Sequence, residues 1–330
     1  MYKSVTSEDV KKMYEKYPYP SNKIGNNLIY DLAAIIGIAI DIEKMNNAKV
    51  LDVGCGTGHR LIGLALCYPQ SKFVGLDMTQ ESLQIAKELA NFHKLNNISF
   101  INDRIEEFNV KDEYDLIVST GVLHHMEDPV KGFTMINKAL KVDGIAITWL
   151  YHTIGEYYRM INRDLVQIFS KACLSSPYYL NTNILQKLNI KLAQEQYGNK
   201  TSQHEDNDLN QQSLDVDAYL HPIVKTYRYI EIKNMSSQAH FYKTFCLGFN
   251  KQGSSKIIDF NNASNEKSFL KFKDIYRDEE INNIYSKLSY DEKIKVLELA
   301  WQPTGITVAI LKSQTSMNKL SNFLKTVYNI

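Results

Sequence analysis

Short apolar runs alternate with helix-like segments along the first half of the chain. The runs that predict buried strands lie at residues 50–53, 72–76, 98–101, 114–119 and 144–150. Apolar residues at helical spacing lie between them, as at Leu61, Leu64 and Ala65. Strands that alternate with helices predict a parallel sheet with helices on both faces, which is a doubly wound α/β fold.

The rest of the pattern predicts an N-terminal helical arm and a less regular second half. Ser7, Glu8 and Asp9 suit a helix start, and Val10 and Met13 continue at helical spacing. Further helices are expected at residues 27–45, 154–174, 180–193 and 291–300. Residues 194–212 carry almost no core-forming side chains and are expected to form a mobile loop.

A glycine-rich turn follows the first apolar run. Gly54, Gly56 and Gly58 alternate with other residues, and a helical pattern begins directly after them. Glycine adopts backbone angles closed to other residues and lets a ligand approach the main chain. The helix start adds free N–H groups. Strand, turn and helix together predict a nucleotide-type pocket, although an ordinary tight turn can carry the same glycines.

The spacing of these glycines distinguishes two cofactor classes. A dinucleotide fingerprint would place its third glycine at position 59, where the chain has His59. The observed Asp-x-Gly-x-Gly-x-Gly pattern closely resembles the motif of class I S-adenosylmethionine (SAM) dependent methyltransferases. That resemblance implies a SAM cofactor, with this part of its site formed by Asp52, Gly54, Cys55, Gly56 and Gly58.

The resemblance covers residues 17–150 and implies how the rest of the chain is arranged. The family's shared fold has two strands after the fifth, for which the candidates are 241–250 and 306–311. We therefore expect a mostly parallel seven-stranded sheet with an N-terminal helical arm and a helical insertion over the active site. The expected boundaries are 1–45 for the arm, 46–150 for the SAM-binding core, 151–240 for the substrate cover and 241–330 for completion of the sheet.

Acidic residues close the second and third predicted strands. Asp77 lies near the spacing at which a carboxylate accepts hydrogen bonds from both ribose hydroxyls. Its alternative role is to cap the helix that starts near Thr79. The resemblance implies that Asp103 accepts a hydrogen bond from the adenine amino group and that the Arg104 backbone N–H serves the adenine ring. The alternative is that these residues form an ordinary surface loop. The resemblance also adds Met78 and Ser119 to the cofactor-binding set.

An extended strap carries two tyrosines before the first strand. Each proline of Tyr17-Pro18-Tyr19-Pro20 fixes its own φ and disfavours a helical conformation of the preceding tyrosine. One interpretation is a packed N-terminal arm. The other is a lid over the cofactor or acceptor, as in the family resembled, which would make Tyr17 a cofactor contact and Tyr19 a catalytic candidate.

Histidines supply the other catalytic candidates. His124 and His125 follow the fourth strand, at the sheet edge where ligands of open α/β sheets bind, and their intrinsic pKa suits a general base. One of two adjacent histidines is often structural. His221 lies in an Asp-Ala-Tyr-Leu-His-Pro segment that is loosely similar to a bacterial methyltransferase subgroup including protein-lysine methyltransferases, and an interior structural histidine is its alternative role. The spacing of these residues predicts no metal site.

Composition excludes several partner classes. The chain has 38 basic and 37 acidic residues without a long run of either sign, so a nucleic-acid partner is not expected. The longest strongly apolar run is too short to span a bilayer, and the four cysteines are scattered. We expect a cytoplasmic location and no membrane partner.

The resemblance implies transfer of the sulfonium methyl of SAM, by in-line displacement, to a small molecule or a protein side chain. It leaves the acceptor, the methylated atom and the oligomeric state open. A SAM-binding regulatory protein without activity is the alternative, because an intact cofactor site does not require turnover. An NAD-dependent oxidoreductase is disfavoured by His59.

Overall fold

The fold is described by a computed structural model covering residues 5–172, 183–190, 213–251 and 254–329. The loop expected at 194–212 lies outside the described residues, as does part of the helix expected at 180–193. Within the described ranges, no helix combines the length and apolar character that crossing a membrane requires.

Nine strands within the described residues form one mixed sheet with the order β3-β2-β1-β4-β5-β9-β6-β7-β8. The strands are β1 Lys49–Val53, β2 Lys72–Asp77, β3 Ile98–Asn102, β4 Tyr114–Thr120, β5 Leu140–Tyr151, β6 Lys243–Lys251, β7 Ser254–Ile258, β8 Phe269–Leu270 and β9 Gly305–Leu311. Strands β1 to β5 pair in parallel, and β9 runs antiparallel to both β5 and β6.

The sheet differs from the expected seven mostly parallel strands. The two candidate strands after the fifth are present as β6 and β9. The prediction of seven strands was wrong because β7 turns back antiparallel onto β6 and β8 then pairs with β7. Both additions are short, and polar residues begin β7, so their apolar pattern is weak.

Helices flank the sheet and connect its strands. They are α1 Ser7–Lys16, α2 Asp31–Ala39, α3 Ile42–Met45, α4 His59–Cys67, α5 Gln80–Phe92, α6 Pro129–Ala139, α7 Tyr157–Ala172, α8 Asn183–Lys187, α9 Tyr229–Gln238, α10 Phe272–Ile275, α11 Glu279–Ser286, α12 Tyr290–Trp301 and α13 Asn322–Tyr328. Short 3-10 helices lie at Leu123–His125 and Gln314–Lys319, and a π-helix lies at Val216–Leu220. The helix expected over 27–45 is divided at Ile40, which is extended and bridges to Leu320.

Successive residues of the central strands belong to different hydrophobic clusters. Leu51 and Val53 of β1 pack into one cluster, whereas Val50 packs into another. In β4, Ile117 and Val118 divide in the same way. Because adjacent side chains of a strand point to opposite faces, both faces of the sheet are buried, as a doubly wound fold requires.

A separate cluster joins the N-terminal arm to the segment around the π-helix. Met13 and Tyr17 pack there with Val166 of α7 and with Tyr219 and Leu220. These residues are buried although they come from three distant parts of the sequence. This packing holds the arm beside the carboxyl edge of the parallel strands.

Candidate functional site

A cavity of about 290 Å³ opens at the carboxyl edge of the parallel strands. Its volume is near the lower end of the range of roughly 300–1,000 Å³ that is usual for small-molecule sites. Of the residues proposed from the sequence, eight line it: Tyr19, Gly54, Gly56, Asp77, Met78, Asp103, Arg104 and His125. The loops after β1, β2, β3 and β4 all contribute to the lining, so the strand ends converge as the sequence predicted.

The glycine loop needs glycine for two physical reasons. Gly54, Gly56 and Gly58 have φ values of 72°, 52° and 79°, a region that other residues rarely adopt. A Cβ at Gly54 would overlap the Val122 side chain, and one at Gly56 would overlap the Tyr19 carbonyl oxygen. The atoms that lie close to Gly54 and Gly56 therefore belong to this chain, namely the Val122 side chain and the Tyr19 carbonyl oxygen.

Asp77 connects the glycine loop to the next helix while facing the cavity. Its Oδ2 accepts a hydrogen bond from the Gly56 N–H at 2.8 Å, and its Oδ1 accepts from the Thr79 N–H and hydroxyl at 2.9 and 2.7 Å. Burial raises the pKa of this carboxyl. The structure thus contains the contact to Thr79 that the capping role implies, together with an acidic group at the cavity wall.

Asp103 and Arg104 lie at the end of β3. The Arg104 N–H donates to Asp103 Oδ1 at 2.8 Å, so this backbone donor is already engaged. The guanidinium Nε and one terminal nitrogen of Arg104 are buried and have no hydrogen-bond partner among the described residues. The side chain of Arg104 therefore leaves unused donors at the cavity.

The strap is fastened to the glycine loop through Tyr19. The Tyr19 carbonyl oxygen accepts from the Thr57 N–H at 3.0 Å and from the Thr57 hydroxyl at 3.2 Å. The Tyr19 side chain lines the cavity, whereas Tyr17 is buried in the cluster beneath the arm. The two tyrosines of the strap thus have different environments.

The remaining cofactor candidates are not among the residues that line the cavity. Asp52 is buried in β1, and burial raises its pKa to about 7. Cys55 is buried, and its sulfur would lie 2.7 Å from a Cβ on Gly75. A Cβ on Gly58 would lie 2.9 Å from that of Ala86, and Ser119 is buried in β4. Direct cofactor contact by these residues stays a prediction.

His124, His125 and His221 are buried next to one another. The ring centroids of His124 and His125 lie 4.1 Å apart, and those of His125 and His221 lie 3.6 Å apart. Only His125 of the three lines the cavity.

Hydrogen bonds to the backbone define the tautomers of these rings. His124 Nδ1 accepts from the Tyr151 N–H, so the neutral ring carries its proton on Nε2 and donates it to His125 Nε2 at 3.0 Å. His125 Nδ1 donates to the Ile223 carbonyl oxygen at 2.7 Å. His221 Nδ1 accepts from the Ile223 N–H at 3.1 Å. All three rings fit as neutral imidazoles, and the Nε2–H of neutral His221 is buried without a hydrogen-bond partner among the described residues.

These histidines make stability depend on pH. Burial lowers the pKa of His125 to about 4, from an unfolded value of roughly 6.5. Because the unfolded chain binds the proton more readily, the contribution of His125 to stability is complete above about pH 6.5 and is lost as the pH falls toward 4. The raised pKa of Asp52 acts in the opposite direction.

A comparison of two chains isolates the contribution of His125. Relative to His125→Asn, we expect the wild type to lose on the order of 2 kcal/mol of its free energy of unfolding between pH 7 and pH 4.5. Urea unfolding at several pH values measures this difference, since Asp52 contributes equally to both chains. A difference that is independent of pH would contradict the expectation.

Other lining residues had no functional assignment from the sequence. Tyr14 and Asp217 meet at the cavity, where the Tyr14 hydroxyl donates to Asp217 Oδ1 at 2.7 Å although 203 positions separate them. Trp149 and Tyr151, at the end of β5, line the same space. The location of Trp149 and Tyr151 at the end of a parallel strand was a usable signal. No sequence signal indicated that Tyr14 pairs with Asp217.

Comparison with protein families gives one match that covers half of the chain. A family model described as a methyltransferase domain matches residues 44–216. An uncharacterized protein of Rickettsia prowazekii, RP028, is 26% identical over 199 residues, which are 57% of this chain and 76% of that protein. A malonyl-[acyl-carrier protein] O-methyltransferase of Acetivibrio thermocellus is 26% identical over 134 residues, covering 41% of this chain and 44% of the enzyme.

A solved structure extends the likeness over most of the chain. PKMT2 from Rickettsia typhi in complex with AdoHcy aligns with a TM-score of 0.56 and 18% identity, covering 89% of this chain and 53% of PKMT2. At this identity the likeness shows the fold. The chain spans about half the length of PKMT2 and of the Acetivibrio enzyme.

Proposed function

We propose, from the premise that this chain belongs to the methyltransferase domain family matched over residues 44–216, that it transfers the methyl group of SAM to an acceptor entering the cavity. The family match confirms the prediction of a SAM-dependent methyltransferase domain. The observation that carries the proposal is the convergence of four strand-end loops on one cavity, which places glycine, acidic and aromatic side chains together.

The residues at the cavity fit the cofactor. The glycine loop is held close to the strap and leaves the Gly56 backbone facing the space beside Asp77. The buried unpartnered nitrogens of Arg104 supply donors in the part described by the structure, as a polar nucleoside requires. We assign Gly54, Gly56, Asp77, Met78, Asp103 and Arg104 to cofactor binding, with Asp77 at the ribose and Asp103 near the adenine.

SAM supplies an activated methyl group, so the chain's own residues act mainly by alignment and by excluding water. Tyr19 closes one side of the cavity from the strap. His125 is a wall of the cavity in this proposal: its Nε2 accepts from His124, so its lone pair is engaged and it does not serve as the general base. His124 and His221 position it by hydrogen bonding and stacking.

The division of the chain follows from these roles. Residues 1–45 form the arm, 46–150 hold the cofactor, 151–240 cover the acceptor and 241–330 complete the sheet. The acceptor is a small molecule or a protein side chain. The near-neutral charge of the chain favours these over a nucleic acid.

Labelled methyl transfer tests the proposal directly. The chain is incubated with tritiated SAM and separated protein, RNA and small-molecule fractions of cells. Incorporation into protein or small molecules supports the proposal, and incorporation into RNA alone would overturn the acceptor class. SAM binding without transfer to any fraction would favour a regulatory SAM-binding protein.

Removal of the Asp77 carboxylate should weaken SAM binding. We expect Asp77→Ala to lower affinity by about ten- to a hundredfold, since losing hydrogen bonds to a charged acceptor costs roughly 1.5–3 kcal/mol. Calorimetric titration with SAM measures the change, and Asp143→Ala, at a partly exposed carboxylate outside the cavity lining, is the control. Unchanged affinity in Asp77→Ala would remove Asp77 from the ribose site.

A further inference from the structure

One part of the cavity wall is made by a buried carboxylate among aromatic rings. Asp217, in the π-helix, is 8% exposed. Its two oxygens accept hydrogen bonds from the Tyr14 hydroxyl at 2.7 Å and the Tyr151 hydroxyl at 3.3 Å. Tyr19 and Trp149 line the same cavity. None of these five side chains belongs to the glycine loop or to the acidic strand ends assigned to the cofactor.

Asp217 has no ion-pair partner within 4 Å among the described residues. Two hydroxyl donors leave its negative charge uncompensated, and burying an unpaired charge is costly. The charge of Asp217 also raises the pKa of Tyr14 and Tyr19, after the larger effect of burial. The wall therefore carries a surplus of negative charge in a largely desolvated place.

The neighbouring arginines are each matched by another carboxylate. Arg159 pairs with Glu156 and lies 4.3 Å over the Tyr151 ring. Arg60 binds Asp31 through two nitrogens. Arg163 donates to the carbonyl oxygens of His221 and Pro222 and lies 3.5 Å from Asp164. Among the described residues, none of the three arginines forms an ion pair with Asp217 within 4 Å.

A metal ion is a poor match for this charge. One potential ligand atom from each of His125, His221 and Asp217 lies within 4.8 Å of the others, which is a possible cation cluster by distance alone. However, both lone pairs of the neutral rings are engaged, because His125 Nε2 accepts from His124 and His221 Nδ1 accepts from the Ile223 N–H. A metal needs those lone pairs, whereas an organic cation does not.

We propose that this wall binds the acceptor as a protonated aliphatic amine, with its ammonium group against Asp217 and its charge facing the rings of Tyr14, Tyr19 and Trp149. The proposal rests on the proposed function and names the acceptor's chemical class. An ammonium group satisfies the unpaired carboxylate, and aromatic faces attract cations. A neutral alcohol or an anionic carboxylate would leave the charge of Asp217 unmatched.

The transfer step balances for an amine. The bound ammonium first loses one proton to water, which frees the lone pair on nitrogen. That lone pair forms the new bond to the methyl carbon as the carbon–sulfur bond breaks, and the bonding pair stays on sulfur. The products are a neutral thioether and a methylated ammonium, so Asp217 again faces a cation.

Sinefungin provides a defined probe of the wall, because it carries an amino group where SAM carries its sulfonium methyl. We expect the whole chain to bind sinefungin at least tenfold more tightly than S-adenosylhomocysteine, measured by calorimetry. In Asp217→Asn the two affinities should become equal within about threefold, with the S-adenosylhomocysteine affinity retained. Asp103→Asn, on the cofactor side, should weaken both ligands and preserve their ratio.

The outcomes separate this inference from the proposed function. If the wild type binds S-adenosylhomocysteine but shows no Asp217-dependent preference for sinefungin, the amine site is overturned and the cofactor site stands. Failure to bind either ligand would overturn both. Should Asp217→Asn not fold, Tyr14→Phe replaces it, and the expected result is an altered affinity ratio with retained S-adenosylhomocysteine binding.

The product of labelled transfer gives an independent check. An N-methyl group retains its tritium through mild base, whereas a methyl ester releases it as volatile methanol. Base-stable label recovered on an amine after hydrolysis supports the inference. Volatile label, or label on a hydroxyl, sulfur or carbon atom, would overturn it while leaving methyl transfer itself established.

Discussion

Gly56→Val is expected to abolish detectable SAM binding. A valine Cβ would overlap the Tyr19 carbonyl oxygen, and the backbone φ of 52° is unfavourable for a β-branched residue. Relieving both strains requires moving the loop away from the strap and from Asp77, which accepts the Gly56 N–H. We expect affinity to fall by at least about a hundredfold, since several contacts are lost together.

Calorimetry with SAM measures this effect, and Gly25→Val is the matched control. A Cβ on Gly25 would have open space around it, with no heavy atom of the described residues other than its chain neighbours within 4 Å. The control should bind SAM as the wild type does. If Gly56→Val keeps wild-type affinity, the glycine loop is not part of the cofactor site, and the pocket assignment fails with it.

Removing the strap is expected to have the second largest effect. Deletion of residues 1–20 removes the Tyr19 wall, its carbonyl contacts to Thr57 and the Tyr14 hydroxyl bond to Asp217. The cavity then opens to water. We expect both SAM affinity and turnover to fall at least tenfold, which corresponds to about 1.4 kcal/mol or more.

The deletion should also destabilise the protein. Met13 and Tyr17 are buried in the cluster beneath the arm, and losing such side chains costs about 2–5 kcal/mol each. Tyr19→Ala is the sharper variant because Tyr19 belongs to none of the buried clusters. Tyr158→Ala, at an exposed tyrosine, is the control.

Cleavage near Lys16 and Lys23 tests whether the strap closes over the cofactor. Limited proteolysis with trypsin should slow when SAM is added, if the bound cofactor holds the strap in place. If Tyr19→Ala binds SAM with wild-type affinity and SAM does not change the rate of cleavage, the strap serves only to pack against the rest of the protein.

Local pattern was sufficient for the cofactor half of the fold. Strands β1, β2, β4 and β5 and the turn at Gly54 to Gly58 could be predicted because buried parallel strands are continuous apolar runs and because positive φ selects glycine. The ends of parallel strands must meet at one edge, so Asp77 and Asp103 could be assigned to one cavity from sequence alone.

Tertiary structure alone decided which side chains complete the cavity. The contact between Tyr14 and Asp217 joins the arm to the π-helix across 203 positions, and no local periodicity encodes such a pairing. The histidine tautomers likewise depend on backbone groups at Tyr151 and Ile223. Strands β7 and β8 exist through pairing, β7 with β6 and β8 with β7, since polar residues begin β7 and β8 is only two residues long. Long-range packing and hydrogen bonding, rather than residue pattern, therefore determine this side of the cavity.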